Sequence, residues 1–435
     1  MTALDWLLIA ALAVVSANAV VWRRNLRAFA AFPGLEEFSA DERAAARGCR
    51  LAVCVPARNE AGNIEACVRS VLANDLPGLR VLVYDDGSTD GTGAIVERLA
   101  AGDERVSLVS RCSLPEGWNG KQHGLWRCAL EAFALDATLD ALPEAAGKDA
   151  ATHCLFIDAD VRVKRDACER ALAQFYRLDA RARTSAVKGR GGSPANGLGV
   201  LSCFPRQLTG TLSEAAVVPL IFFLLLSYLP FGRMRSTVSP SASAACGQFI
   251  VVSRGAYVAF GGHEPFKASM HDGIKMPRVA RRAGYHTDVY DGSDSARVRM
   301  YRGFGEVWRG FAKNAYEGLG NPVLLVFLTV VHAVGHVLPP LLVIGMLAES
   351  LVSGDAPTAL AYLLGLAAWT VPVVQRVVTA DRLGHAAIGA LVHPFGTAIM
   401  IGVQWRSFYL HVTGKRTWRG RDASGAEVGA SVGAA

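Results

Sequence analysis

Charge is scarce in this sequence, and that scarcity narrows its class. Only 19% of its 435 residues are Asp, Glu, Lys or Arg, while 51% are hydrophobic. Such a chain is too apolar for an ordinary soluble protein and too long for one average domain. Its nine cysteines include no Cys-x-x-Cys pair and no ligand-like spacing with histidine, which excludes a zinc ribbon or a disulfide framework. All of them lie between Cys49 and Cys246, and an odd number in apolar surroundings fits a reduced, cytoplasmic domain. The first apolar run, residues 6–22, has no basic residue ahead of it. Ala17-Asn18-Ala19 resembles a signal-peptide cleavage site, but Arg23, Arg24 and Arg27 follow the run, so it reads as an uncleaved anchor with its N-terminus outside. There is no internal repeat.

Long apolar runs are present instead. Residues 322–348, 358–378 and 386–403 each approach or exceed the roughly 20 residues that cross a bilayer as a helix. Between them and the first run lies a stretch with ordinary charge density. The organisation expected is a membrane anchor over 1–24, a globular domain over 50–315, membrane helices over 322–410 and a basic tail over 411–435. The net charge of +7 does not point to nucleic acid. The basic residues flank apolar runs (Arg23, Arg24 and Arg27, then Lys415, Arg416, Arg419 and Arg421), which suits the positive-inside rule and anionic headgroups. This places the protein in a bacterial-type cytoplasmic membrane with its globular domain in the cytoplasm. Three C-terminal crossings would leave the basic tail outside, so either residues 386–410 form a hairpin or the charge rule fails. Residues 215–231 are also apolar, but Pro219 and Pro230 interrupt them, and they read as an interfacial helix pair near 210–232.

In the globular part, apolar runs at 51–56, 80–84, 106–109 and 154–157 alternate with helical patterns at 62–73, 91–101 and 122–133. That alternation predicts an α/β fold with a mostly parallel sheet, and residues 136–152 read as a surface insertion. Ligands bind such sheets beyond the carboxyl ends of the strands. The polar clusters Arg58-Asn59-Glu60, Asp85-Asp86 and Asp158-Ala159-Asp160 all fall there.

Asp158 and Asp160, two positions apart where a strand turns, can converge on one Mg²⁺ or Mn²⁺ and so neutralise a diphosphate leaving group. Alone, such a pair is equally a surface turn. Asp85 suits the N–H and O–H groups of a base and ribose. Ser88-Thr89-Asp90 is explained by capping of the next helix, but the adjacent carboxylates Asp85 and Asp86 are not. Pro56, Ala57, Arg58 and Glu60 form either the opposite wall of a nucleotide pocket or a plain helix start. Asp272 begins a helix after the Gly261-Gly262 turn and is either a general base or a helix cap. Its neighbour His271 either tunes it or packs. Arg302, Glu306, Arg309 and Lys313 share a helix face, and either close over a diphosphate or pair in solvent.

Taken together, Pro56-Ala57-Arg58-Asn59-Glu60, Asp85-Asp86-Gly87-Ser88-Thr89-Asp90, Trp118-Asn119-Gly120-Lys121, Asp158-Ala159-Asp160 and His271-Asp272-Gly273 resemble the family 2 glycosyltransferases, in that family's order over about 50 to 310. With Trp418-Arg419-Gly420-Arg421 near the end, the chain looks most like the membrane branch containing hopanoid-associated, carotenoid and ceramide glycosyltransferases. The resemblance implies a GT-A fold, Rossmann-like, that binds a nucleotide sugar and transfers the sugar with inversion to a lipid acceptor, and the donor expected is UDP-linked. It implies that the first wall and Asp85 hold base and ribose, that Lys121 lies near the nucleotide (or is a solvated lysine), and that Asp158 and Asp160 hold metal and diphosphate. It also implies that Asp272 is the base. The family usually has an acidic residue where this chain has His271. A related branch carries Gln/Arg-x-x-Arg-Trp, whereas Arg299-Met300-Tyr301-Arg302 is followed by Gly303, which puts that motif's acceptor-stacking role in doubt and leaves Trp308 as a substitute. Alternatives are a processive polysaccharide synthase, which would need that motif intact, and a non-catalytic nucleotide-sugar-binding membrane protein, which would have lost an aspartate.

Overall fold

The computed structural model describes residues 1–140, 150–184, 188–189, 195–354 and 357–416. Most of the expected insertion at 136–152 and of the basic tail, with Trp418-Arg419-Gly420-Arg421, lies outside the described residues. The chain forms two compact units. One comprises Ala30–Arg206 and Pro230–Val298; the other comprises Met1–Phe29, Gln207–Leu229 and Arg299–Gly414.

The first unit is built on a sheet of eight strands: β1 (Leu51–Ala57), β2 (Leu79–Asp85), β3 (Val106–Leu108), β4 (His153–Phe156), β5 (Val161–Val163), β6 (Leu198–Gln207), β7 (Ile250–Ser253) and β8 (His286–Val298). They lie in the order β3-β2-β1-β4-β7-β6-β8-β5. The pairs β2–β3, β1–β2 and β1–β4 are parallel, as the alternating pattern predicts. The pairs β4–β7, β6–β7 and β5–β8 are antiparallel, so the sheet is mixed rather than mostly parallel. The second half was hidden because its strands do not read as strands. β6 is buried on nearly every residue and shows no alternation. β8 carries Thr287, Asp288, Asp291 and Ser295, all buried, and looks like a loop by composition. Two arginines pair with the first two of these: Arg235 Nε lies 3.1 Å from Asp288, and Arg281 Nε donates to Thr287 Oγ1 at 2.6 Å. A buried polar strand is tolerable when its polar groups are paired in this way.

The helix Gly120–Phe133 covers β1 and β2. Its apolar face, Leu125, Cys128, Ala129 and Phe133, packs into the core with Cys54, Leu82 and Tyr84. Gly124 sets the closeness of that packing, since a Cβ there would stand 2.8 Å from the Tyr84 ring. The helix start is thereby held at the carboxyl ends of the parallel strands.

In the second unit, Ala3–Ala28, Pro322–Ser353 and Ala359–Leu383 are long and apolar enough to cross a membrane. The helix His393–Val412 is 20 residues long but is not among them. It carries His393, Gln404, Arg406 and His411, and it buries Met400 and Val403 against Val217, Leu220, Phe223, Val307 and Phe311. Ala3–Ala28 and Ala359–Leu383 run side by side in the same direction. Leu8 packs near Ala361, Ala11 and Val15 near Ala368, and Trp22 Nε1 donates to Thr379 Oγ1 at 3.1 Å. Arg382 then donates to the carbonyls of Leu26 and Phe29. The apolar segment near 210–232 forms the helices Leu212–Val217 and Leu220–Tyr228, of 6 and 9 residues, broken at Val218-Pro219. Glu214, at the first of them, gathers the N–H of Gly210 (2.7 Å), the Thr211 hydroxyl (2.9 Å), the N–H of Gly303 (2.8 Å) and the Arg299 guanidinium (3.2 Å).

Candidate active site

The loops after β1 and β2 are stitched to each other. Ala57 and Asp85 are partners in the parallel register, and one residue on, the Asp86 N–H donates to the Ala57 carbonyl at 2.9 Å. The Arg58 guanidinium donates to the Asp86 carbonyl at 2.6 Å and lies 3.7 Å from its carboxylate, with both side chains buried. Asn59 adopts a left-handed backbone (φ 54°). Its N–H donates to Ser88 Oγ at 2.9 Å, and its side-chain oxygen accepts from the Thr89 N–H at 2.9 Å. The Glu60 N–H reaches Thr92 Oγ1 and the Ala61 N–H reaches Asp90 Oδ2, each at 2.9 Å. Ser88-Thr89-Asp90 therefore does more than cap the helix Thr92–Gly102. Asp90 alone accepts from Thr92, while all three residues bind the neighbouring loop. Asp85 is half-buried, and its Oδ1 accepts from the Ser88 N–H at 3.1 Å. Pro56 and Ala57 are buried within β1, so they shape the wall without offering a polar side chain.

A second constellation joins Asp158, Lys121 and Asp272. β4 ends at Phe156, and Asp158-Ala159-Asp160 turns into β5 with the Val161 N–H donating to the Asp158 carbonyl at 3.1 Å. Asn119 caps the helix Gly120–Phe133 by accepting from the Lys121 N–H at 3.0 Å, beside a stacked pair of indoles, Trp118 and Trp126, 4.7 Å apart. Lys121 Nζ lies 2.7 Å from Asp158 Oδ1 and 3.0 Å from Asp272 Oδ2. One ammonium therefore bridges two aspartates that lie 114 residues apart in the chain (272 − 158). Burial alone would lower the Lys121 pKa, but the two carboxylates hold it well above the ordinary lysine range.

Asp272 is the first residue of the helix Asp272–Arg282, where the helix dipole favours a carboxylate, and its Oδ1 accepts from the Gly273 N–H at 2.8 Å. Burial pushes its carboxyl up, but Lys121 and the Gly273 N–H outweigh it, so the group stays below its usual range and remains ionised. Gly247 and Gly273 make the fit possible. A Cβ on Gly247 would stand 2.2 Å from Asp272 Oδ1, and one on Gly273 would stand 2.4 Å from the Ala245 carbonyl. The sequence did not single out Gly247, whose role is set by a chain segment distant in sequence, and it placed Asn119 in a motif without reading its local cap.

Asp160 is in the opposite state. Its Oδ1 is buried with no hydrogen-bond partner among the described residues. Burial, then the charges of Asp158 and Glu60, push its carboxyl up to about 7. An orphaned carboxylate oxygen beside a second aspartate calls for a cation or a proton. Among the described residues no group of three or more His, Cys, Asp or Glu is placed to hold a metal ion. A metal here would therefore draw most of its shell from substrate and water, which suits Mg²⁺ or Mn²⁺, and the two aspartates fit that use. Arg302, Glu306 and Trp308 belong to the unit with the long apolar helices. The Arg302 N–H donates to Glu306 Oε2 at 2.7 Å, and the helix Phe304–Ala312 starts only after it, with Gly303 as its N-cap, so Arg302 precedes the helix rather than lying on its face.

Residues 52–123 match the family model of Glycosyl transferase family 2. The chain carries a family 2 glycosyltransferase segment. That segment takes in Arg58, Glu60, Asp85, Asp86 and Lys121 and stops short of Asp158, Asp160 and Asp272. The mixed sheet around it has the expected GT-A fold. A GalNAc(5)-diNAcBac-PP-undecaprenol beta-1,3-glucosyltransferase of Campylobacter jejuni is 32% identical over 77 residues, 18% of this chain and 25% of that one. A polyprenol monophosphomannose synthase of Mycolicibacterium smegmatis is 42% identical over 65 residues, 15% of this chain and 24% of that one. The chain thus spans about a quarter of the length of the curated relatives it matches. Among solved structures, a mannosyltransferase from Pyrobaculum calidifontis in complex with GDP-Man and Mn²⁺ is similar at 16% identity and a TM-score of 0.47, covering 93% of this chain and 99% of that one. Within the family 2 segment, then, Lys121 is the residue that reaches out to the two aspartates beyond it.

Proposed function

We propose that this protein is a membrane glycosyltransferase that moves a sugar from a nucleotide-sugar donor, UDP-linked, to a lipid acceptor with inversion. The observation that carries the reading is the Asp158–Lys121–Asp272 bridge at the strand ends beside the family 2 segment. Arg58 and Asp86 brace the donor wall from within, which leaves Asp85 to accept from base and ribose. When bound, a Mg²⁺ or Mn²⁺ held by Asp158 and Asp160 would supply charge neutralisation to the leaving diphosphate. Asp272 takes the proton of the acceptor hydroxyl as its oxygen attacks the anomeric carbon. A single base suits a single displacement, hence inversion. The lipid acceptor is supported by the three long apolar helices and by the polyprenol in the names of both curated relatives.

The orientation proposed is cytoplasmic for the unit that carries the sheet. Arg23, Arg24, Arg27 and Arg382 all lie at one end of the paired helices Ala3–Ala28 and Ala359–Leu383. Two long helices after the sheet, rather than three, return the chain to the side it left, and Lys415 and Arg416 then obey the positive-inside rule. The test is a transfer assay on the full-length protein in lipid vesicles, with labelled nucleotide sugars and a lipid extract. Label should enter the organic phase with Mg²⁺ or Mn²⁺, and should not with excess chelator or with Asp160→Ala. Undiminished transfer in chelator would remove the metal from the account, and transfer to water alone with every lipid fraction would remove the acceptor.

A further inference from the structure

Lys121 stands where the proposed metal is needed. Its ammonium is 2.7 Å from Asp158, one of the two carboxylates that would hold the ion, and 3.0 Å from Asp272, the proposed base. Asp160, the other carboxylate, has an oxygen left without a partner. The side chain of Lys121 is only 16% exposed, so water does little to screen it. A divalent ion that takes Asp158 must therefore displace a lysine from the same carboxylate and then sit beside its positive charge.

We infer that Lys121 is a resident cation of the metal seat: it competes with the divalent ion for Asp158 and so makes tight metal binding conditional on the donor. The inference rests on the proposed reading of Asp158 and Asp160. A metal ion alone brings only positive charge into a site that already holds an ammonium. A nucleoside diphosphate brings negative charge with the metal, which offsets that repulsion and gives Lys121 a second anion to face. Asp272 supplies the other half of the device. With Asp158 surrendered to the metal, the ammonium still has Asp272 within reach, so the base keeps its countercharge while donor is bound. Metal, donor and base are thereby linked through one side chain, and a bare metal ion is kept from occupying the seat unproductively.

The experiment is a titration of the full-length protein with Mn²⁺, followed by electron paramagnetic resonance of the free ion, with and without UDP. The wild type should bind Mn²⁺ alone weakly and should gain tenfold or more in affinity when UDP is present. Lys121→Met, which keeps the length of the side chain and removes its charge, should bind Mn²⁺ alone about tenfold tighter than wild type and lose most of the dependence on UDP. Asp272→Asn should shift the other way, because the ammonium is then given wholly to Asp158. Lys121→Met leaves Asp272 buried without its partner and risks the fold. The double variant Lys121→Met, Asp272→Asn removes both charges together and should show the same tightening. If Asp160→Ala abolishes Mn²⁺ binding but both Lys121 variants match wild type within about twofold, the metal seat stands and the role given to Lys121 is wrong. If neither wild type nor any variant binds Mn²⁺ even with UDP, the metal seat itself falls, and this inference with it.

Discussion

Gly247 contributes to the site by having no side chain. The Asp272 carboxylate occupies the place its Cβ would take, 2.2 Å from Oδ1, while the N–H of Gly273 and the ammonium of Lys121 hold that carboxylate from other sides. Gly247→Ala should lower the rate constant tenfold or more while leaving UDP affinity nearly unchanged, because the three atoms nearest an added Cβ all belong to Asp272. Steady-state kinetics beside a nucleotide-binding titration checks this. The pH profile carries a second prediction. Lys121 keeps the folded Asp272 carboxyl below its usual range, so the base stays charged to lower pH than a free aspartate, and the acid limb of the rate profile lies at correspondingly low pH. Lys121→Met removes the stabilising charge but not the burial, so the limb should move to higher pH. An unmoved limb would mean that another group sets it. At this scale the sequence was legible for chemistry and illegible for support. Asp158, Asp160, Lys121 and Asp272 stand in motifs, whereas the clamp of Arg58 on Asp86 and the close approach at Gly247 exist only once distant segments meet.

Local pattern found the elements of the parallel half nearly to the residue, since β1, β2, the helix Gly120–Phe133 and β4 are apolar runs with clear periods or clear ends. It failed for β6 and β8, where burial on both faces or paired polar groups erase the alternation on which strand recognition depends. It failed differently at residues 386–403, whose helix His393–Val412 is long but too polar to count as a membrane span. Glu214 is a buried polar group that ties the second unit together, because it binds the stretch Gly210–Thr211 to the stretch Arg299–Gly303. Burial would raise its carboxyl, yet the N–H groups of Gly210 and Gly303 with Arg299 take it down to about 2. The folded pKa is therefore below the unfolded value, and the stability it confers is present above the unfolded value of 4.5 and is lost as pH falls toward 2. Glu214→Ala leaves two N–H groups and the partly exposed Arg299 guanidinium without their acceptor and should cost about 1–3 kcal/mol, the usual range for leaving buried hydrogen-bonding groups unsatisfied. Thermal unfolding in detergent at neutral pH, with the same variant compared at low pH where the difference shrinks, measures it.

The whole chain joins a sheet unit to a unit with three long apolar helices, and the proposed reaction takes a water-soluble donor and a lipid acceptor. The proposed topology has the sheet unit in the cytoplasm, where its nine free cysteines remain reduced. A membrane-impermeant thiol reagent should therefore label Cys49, Cys112 or Cys246, which retain some exposure, in inverted vesicles and not in intact cells. Labelling from the outside would reverse the orientation. The central claim is that the bridge of Asp158, Lys121 and Asp272 is a glycosyl-transfer site with Asp272 as its base. Asp272→Asn keeps the size of the side chain and cannot accept a proton at neutral pH. With a hydroxyl-bearing lipid acceptor, its rate constant should fall by about 10²–10⁴-fold, the usual contribution of a general base, while UDP, and Mn²⁺ in its presence, still bind. Sugar transfer to that hydroxyl at a near-normal rate would make Asp272 a helix cap and contradict the account.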